Sequence, residues 1–332
     1  MNKAWVCRIF FLIQLNFLPN VSAEFCHLES HPFYPTLTSY VYQSPEKVIK
    51  RFYFLFANHL DPMDKSNLLA LLAQDQPWPK DHESWAKEFS QSHSNLLRKI
   101  KEDLNAILQL SESFSSWAWA LEDYSKEFEI LQGRRQFLQL AKNHQTLLRW
   151  SNDDVNNIAL LVGDKAAYVQ DQRLDLRQKI DFVPIDCADC INQGRVLTLQ
   201  LGRSYRQIEF LQKQLWQVGA SMRQQAEQML KKYSQLAEQI DKSASTQQLQ
   251  NLNMAVELFA KDEEKITEEN VKKFHASLVE AIKLTKAFQE LNVKRDEVMA
   301  QNLLKIESDH IVITLGGSHA GLINHLQKTC VP

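Results

Sequence analysis

Between residues 196 and 240, Ile208, Leu215, Met222, Met229 and Leu236 recur every seven positions. Only an α-helix turns that spacing into one continuous apolar stripe. The companion positions start with Leu211 and Val218, then decay to Gln225, Lys232 and Gln239, while Ala226, Tyr233 and Ile240 take over one place later. A stripe that drifts in this way suits packing on a globular body better than a long coiled coil. Eight Gly and nine Pro in 332 residues leave little turn-forming material, which argues against an all-β protein and for helices as the dominant element.

Other stretches carry the same period. After Ser44, Pro45 suits the first turn of a helix, and Val48, Ile49, Phe52, Leu55 and Phe56 follow at helical spacing. Beyond the break at Pro77 and Pro79, residues 83–150 repeat the pattern through Leu96, Leu97, Ile100, Leu104, Ile107 and Leu108. Residues 245–260 and 268–305 are further helical stretches, with Thr267 as an N-cap before Glu268 and Glu269. Residues 38–42 form a β-prone run near the N-terminus. Three later apolar runs, 158–162, 180–185 and 311–315, read as neighbouring strands that lack strict alternation because helices cover both faces. The expected fold is therefore α/β and helix-rich, with a small, mainly parallel sheet, helices on both faces and long helical insertions. Residues 24–151 form a mostly helical region and 152–332 an α/β region ending in a strand, a turn and a helix.

The first 23 residues read as a cleavable signal peptide. Lys3 and Arg8 precede an apolar stretch over 9–18 that Gln14 and Asn16 interrupt, and Val21, Ser22 and Ala23 offer small residues for cleavage before Glu24. That stretch is about half the roughly 20 residues a membrane span needs, so no stable anchor is expected and the chain is expected in a periplasm or outside the cell. With 38 basic and 40 acidic residues the net charge is −2, and nothing in that balance draws nucleic acid. Cleavage would leave Cys26, Cys187, Cys190 and Cys330, four cysteines with three connectivities. Cys187 with Cys190 and Cys26 with Cys330 is the favoured pairing.

The sharpest chemical signal is at the C-terminus. The β-branched run at 310–315 leads into Gly316, Gly317, Ser318 and His319, and residues 320–328 can form a helix. In α/β sheets ligands gather beyond the carboxyl ends of strands, where a glycine turn and free helix N–H groups face one space. His319 is expected to point into that crevice as a general base, a metal ligand or an anion contact, with Gly316, Gly317 and Ser318 as ligand-binding backbone. The alternative is a turn in which His319 only caps the backbone. Ser318 as the nucleophile of a strained elbow fails on chain order, since an acid and a histidine should follow it.

The sequence NVKRDEVMAQNLLK at 292–305, followed by HIVITLGGSHAGLINHL at 310–326, resembles the C-terminal end of the superfamily that contains TraB/GumN and Tiki proteins, ChaN-type haem-binding proteins and erythromycin esterases. In that resemblance Arg295 and Asp296 match a basic–acidic element on the last long helix, and Gly316 to His319 match a G-x-x-H turn. The resemblance implies an α/β core in which two histidine turns converge on one site. That site serves metal-dependent hydrolysis in some members and haem binding in others. His319 would be the second of those histidines and a metal ligand, Arg295 its cationic partner, and a divalent metal or haem the cofactor. The family's first histidine turn has no counterpart near the N-terminus, where His27, Glu29 and His31 form the only such cluster.

Asp164 and Asp186, at the ends of two of the expected strands, are candidates for completing the site. Cys187 and Cys190 follow a strand as a redox pair would, but Asp186 and Asp189 should oppose a thiolate there, which favours a structural disulfide. Trp117 and Trp119 are expected in the core or an interface. Two functions remain open: an exported hydrolase or ligand-binding protein acting on a small molecule or peptide around His319, and a secreted protein that binds a protein partner through long amphipathic helices.

Overall fold

A computed structural model describes residues 26–30, 37–44, 48–57, 60, 64, 67–68, 71, 81–111, 117–122, 149–161, 180–316, 319 and 321–330. The expected signal peptide over residues 1–23, His31, Pro45, Asp164, Gly317 and Ser318 lie outside the described residues. One mixed six-stranded sheet is formed by β1 (Leu28–Ser30), β2 (Leu37–Gln43), β3 (Ile49–Ala57), β4 (Trp117–Leu121), β5 (Ile180–Pro184) and β6 (His310–Gly316), in the order β1-β2-β3-β6-β4-β5. β1 and β2 add antiparallel strands at one side, whereas β3, β6, β4 and β5 run parallel. The carboxyl ends of the parallel strands are level: Ala57 pairs with Gly316, Thr314 with Leu121, and Leu121 with Pro184.

Alternation along these strands builds two cores. Tyr53, Leu55, Trp117, Trp119, Leu121 and Val312 face α1 (His82–Ser92), α2 (Ser94–Ser111) and α3 (Asn152–Leu161). Phe52, Phe54, Ala118, Ala120, Ile311, Ile313 and Leu315 face the second half of α8 (Glu269–Leu304) and α9 (Gly321–Thr329). The sheet is thus covered by helices on both faces, as expected. Lys50 on β3 is buried and donates through Nζ to the carbonyls of Leu304 (2.7 Å) and Ile306, closing the C-terminal end of α8.

A third core is wholly helical. α4 (Ala188–Val218), α5 (Ala220–Asp241), α6 (Thr246–Asn251) and α7 (Asn253–Lys261) pack with the first half of α8 around Leu211, Leu215, Leu236, Ile240, Phe259, Phe274 and Leu278. The drifting stripe is interrupted at Gly219, where α4 gives way to α5, and resumes through Met222, Met229 and Leu236, so residues 196–240 form two helices and not one.

Three sequence expectations need correction. Residues 158–162 are not a strand, because residues 152–161 form α3. Ser151 and Asp154 cap that helix reciprocally (Asp154 N to Ser151 Oγ 3.1 Å, Ser151 N to Asp154 Oδ2 3.0 Å), and Val155, Ile158 and Leu161 bury one face. The helical reading of 48–56 fails because Ile49–Ala57 is β3, whose two faces are both buried, so its aromatic run shows no period of two. Within 83–150, Trp117–Leu121 is the fully buried strand β4. Residues 180–185 and 311–315 do supply the parallel strands β5 and β6, but these are not neighbours, because β4 lies between them.

Both cysteine pairs are disulfides as expected: Cys26–Cys330, 304 residues apart, and Cys187–Cys190, three apart. In the chain-entropy account, closing the long loop stabilises the fold by about 6 kcal/mol and closing the short ring by only about 2 kcal/mol. Among the described residues no helix is long and apolar enough to cross a membrane.

Candidate functional site

Five ionisable side chains meet at the carboxyl ends of β4, β5 and β6. Glu122 follows β4 and Asp186 follows β5. Arg295 and Asp296 are successive residues of α8, and His319 comes from the turn after β6. Each strand delivers its residue because a parallel strand buried on both faces must stop where a polar group can be satisfied. Asn302 of α8 ties the end of β5 to the helix by donating Nδ2 to the carbonyl of Ile185 at 2.9 Å.

Arg295 is 4% exposed and grips Asp186 through two nitrogens, Nε to Oδ2 at 3.0 Å and Nη2 to Oδ2 at 2.5 Å. Its Nη2 also reaches Glu122 Oε1 at 3.5 Å. The second Glu122 oxygen accepts the Gly316 N–H at 2.6 Å, so the last residue of β6 contributes backbone. His319 is 1% exposed, with Nδ1 2.5 Å from Asp296 Oδ1 and Nε2 3.1 Å from Glu122 Oε1.

The electrostatics follow from that geometry. Burial alone would lower the His319 imidazole, but the Glu122 charge and the hydrogen bonds to Asp296 and Glu122 outweigh it, and its pKa rises to about 9. Burial also pushes the Asp296 carboxyl up, while its bond to His319 pulls the other way. Glu122 has the most solvent access of the five, its side chain being 14% exposed.

His319 therefore does not point into an open crevice. Carboxylates enclose both ring nitrogens, Asp296 of α8 at Nδ1 and Glu122 after β4 at Nε2. Arg295 and Gly316 join the same cluster, and of the two acids proposed to complete it Asp186 is present. Sequence reasoning missed Glu122, whose strand was hidden within a helical pattern, and the part played by Asp296. An acid directly after the run WAWAL is the same signal that singled out Asp186 after β5.

The described side chains do not fit a metal or haem. A ligating histidine needs a free lone pair, whereas both ring nitrogens of His319 face carboxylates, Nδ1 that of Asp296 and Nε2 that of Glu122, and the Arg295 guanidinium is bonded to Asp186 and Glu122. Asp186, Cys187 and Cys190 place donor atoms within 4.8 Å of one another, but the two sulfurs are bonded to each other. Comparison with protein-family models, with curated proteins and with solved structures gives no match for this chain.

Proposed function

We propose that the protein is an exported hydrolase whose acid–base centre is the Glu122–His319–Asp296 cluster, acting without a ligated metal on a small ester or peptide-like substrate. The observation that carries this reading is a buried histidine held between two carboxylates from separate elements at the carboxyl ends of parallel strands, where α/β proteins collect their ligands. Asp296 fixes the ring through Nδ1, and Nε2 faces Glu122, through which a proton would pass to a leaving group. Glu122, the most accessible of the three, is the group able to take a proton from water. Arg295 and the Gly316 N–H hold Glu122 in place. Two paired disulfides are compatible with an oxidising compartment. The resemblance to the TraB/ChaN/erythromycin-esterase superfamily supports the same location. In sequence β3 runs directly into Asn58 and His59, the strand-then-histidine order the resemblance implies for the first half of such a site.

The test is turnover of a panel of chromogenic esters and anilides by wild type, Glu122→Gln, His319→Gln and His59→Ala, with and without a chelator. The expected result is chelator-insensitive hydrolysis that falls by about a hundredfold or more in Glu122→Gln and His319→Gln. Full turnover in Glu122→Gln removes the assignment, and chelator-sensitive turnover returns the chemistry to a metal.

A second reading, a surface for a protein partner, is favoured by one observation. Met254 and Leu258 lie four residues apart on α7 and are 70% and 59% exposed, a pair that a helix places on one face.

A further inference from the structure

The Cys187–Cys190 disulfide is absorbed neither by the proposed acid–base centre nor by the stability of the fold. It closes a ring spanning three residues at the first turn of the 31-residue α4, so it restrains the unfolded chain far less than the bond between the chain ends does. Its two sulfurs are unequal: Cys190 is completely buried, while Cys187 is half-buried. Cys187 is also the N-cap of α4, and its sulfur accepts the Cys190 N–H at 3.1 Å. A helix N-terminus and a donated N–H both favour negative charge on that sulfur.

The carboxylates flanking the pair argue against such a charge when read from sequence, and the structure removes the nearer objection. Asp186 is neutralised by the Arg295 fork, and its Oδ1 accepts the Cys187 N–H at 2.8 Å. Asp189 is exposed, where water screens it.

We infer that Cys187–Cys190 is a redox-active pair that oxidises an external dithiol, with Cys187 as the sulfur attacked. A thiolate of the dithiol attacks Cys187 Sγ, the Cys187–Cys190 bond breaks, and Cys190 leaves as a thiolate and takes up a proton. The second thiolate of the dithiol then attacks its own sulfur in the mixed disulfide and releases Cys187. The external dithiol ends as a disulfide, and its two electrons reside on Cys187 and Cys190 as thiols. The inference does not rest on the hydrolytic reading.

The test equilibrates the full-length, folded protein in graded mixtures of reduced and oxidised dithiothreitol, alkylates free thiols, and maps them by mass spectrometry. Cys187 and Cys190 are expected to become alkylated together at a ratio that leaves Cys26–Cys330 closed. Opening of both disulfides at the same ratio, or of Cys26–Cys330 first, overturns the proposal. In a second measurement Cys190→Ser is incubated with oxidised glutathione, and Cys187 should form the mixed disulfide about tenfold or more faster than Cys190 does in Cys187→Ser. Equal rates, or faster capture at Cys190, overturn the assignment of the attacked sulfur even if the pair is reducible.

Discussion

The two halves of α8 bury a comparable stripe of side chains in opposite surroundings. The first half, with Val271, Phe274, Leu278, Ala281 and Ile282, lies in the all-helical core. The second half places Arg295 and Asp296 over the ends of the sheet strands. Each region encloses one histidine. His275 is fully buried, its Nε2 2.9 Å from the Phe259 carbonyl and its ring 5.1 Å from that phenylalanine's ring, and its Nδ1 has no hydrogen-bond partner among the described residues. His319 is equally buried but meets two carboxylates. Burial alone therefore does not mark a functional histidine; the charge of what encloses it does.

The largest effect should come from breaking the charged half. Arg295→Ala leaves Asp186 buried beside Glu122 without its cation, and removing one partner of such a pair costs about 3–5 kcal/mol. Urea denaturation checks this. A loss below about 1 kcal/mol would mean that water replaces the guanidinium, and the cluster would then be less enclosed than its geometry indicates.

In the helical half the corresponding change is a cavity. Leu278 is fully buried, and Leu278→Ala should cost about 3 kcal/mol, within the 2–5 range for such truncations. Ester turnover at saturating substrate should stay within about twofold of wild type, because the lost contacts end before α8 reaches the site. A large fall in turnover at temperatures where the variant remains folded would show that the two halves are energetically one unit.

The same contrast has a pH signature. The folded pKa of His319, about 9, lies above its ordinary 6.5. The stability it contributes is therefore fully present below 6.5 and is lost as pH rises through 9. A proton bound that much more tightly is worth about 3 kcal/mol at most. Asp296, also raised, works in the same direction at lower pH. Stability of wild type minus that of His319→Gln should decline between pH 6.5 and 9.5. A flat His319 difference would mean that the ring is neutral in the folded protein.

How far this could be read from the chain depended on what each segment packs against. The second half of α8, β6 and its turn were legible because Arg295, Asp296, Gly316 and His319 combine a helix period, a β-branched run and a glycine turn within a short span. The disulfide pairing is the one favoured among the three that four cysteines allow. β3 was not legible, since Phe52 and Phe54 face one core while Tyr53 and Leu55 face the other, and a strand apolar on both sides has no alternation to detect. The same ambiguity made α3 resemble a strand, although Ser151 and Asp154 carried a capping signal. Glu122 stayed hidden because β4 is only five residues long and follows the eighteen-residue α2.

The smallest predicted effects differ in sign between the regions, and two glycines report them. Gly194 lies inside α4, and a methyl group there would meet only Leu291 Cδ2 at 3.7 Å, an ordinary contact. Gly194→Ala should therefore stabilise the helical region by about 0.5–1 kcal/mol, the entropy a helical glycine loses relative to alanine. Gly321 is the first residue of α9, and its added carbon would sit 2.5 Å from Asp296 Oδ2 and 3.3 Å from the Ala244 carbonyl. Asp296 cannot easily yield, because it is buried and its other oxygen holds His319 Nδ1. Either α9 moves outward or the carboxylate turns off the ring, and such overpacking costs about 1–3 kcal/mol. Denaturation of the two single variants gives the signs directly, and nitrogen NMR of His319 in Gly321→Ala shows which group moved. A ring that keeps both protons at pH 7.5 assigns the movement to α9. A ring that loses one at that pH assigns it to Asp296, and turnover should then fall with it. If Gly321→Ala stabilises the protein as Gly194→Ala does, the close packing of α9 on Asp296 is wrong, and with it the enclosure that distinguishes His319 from His275.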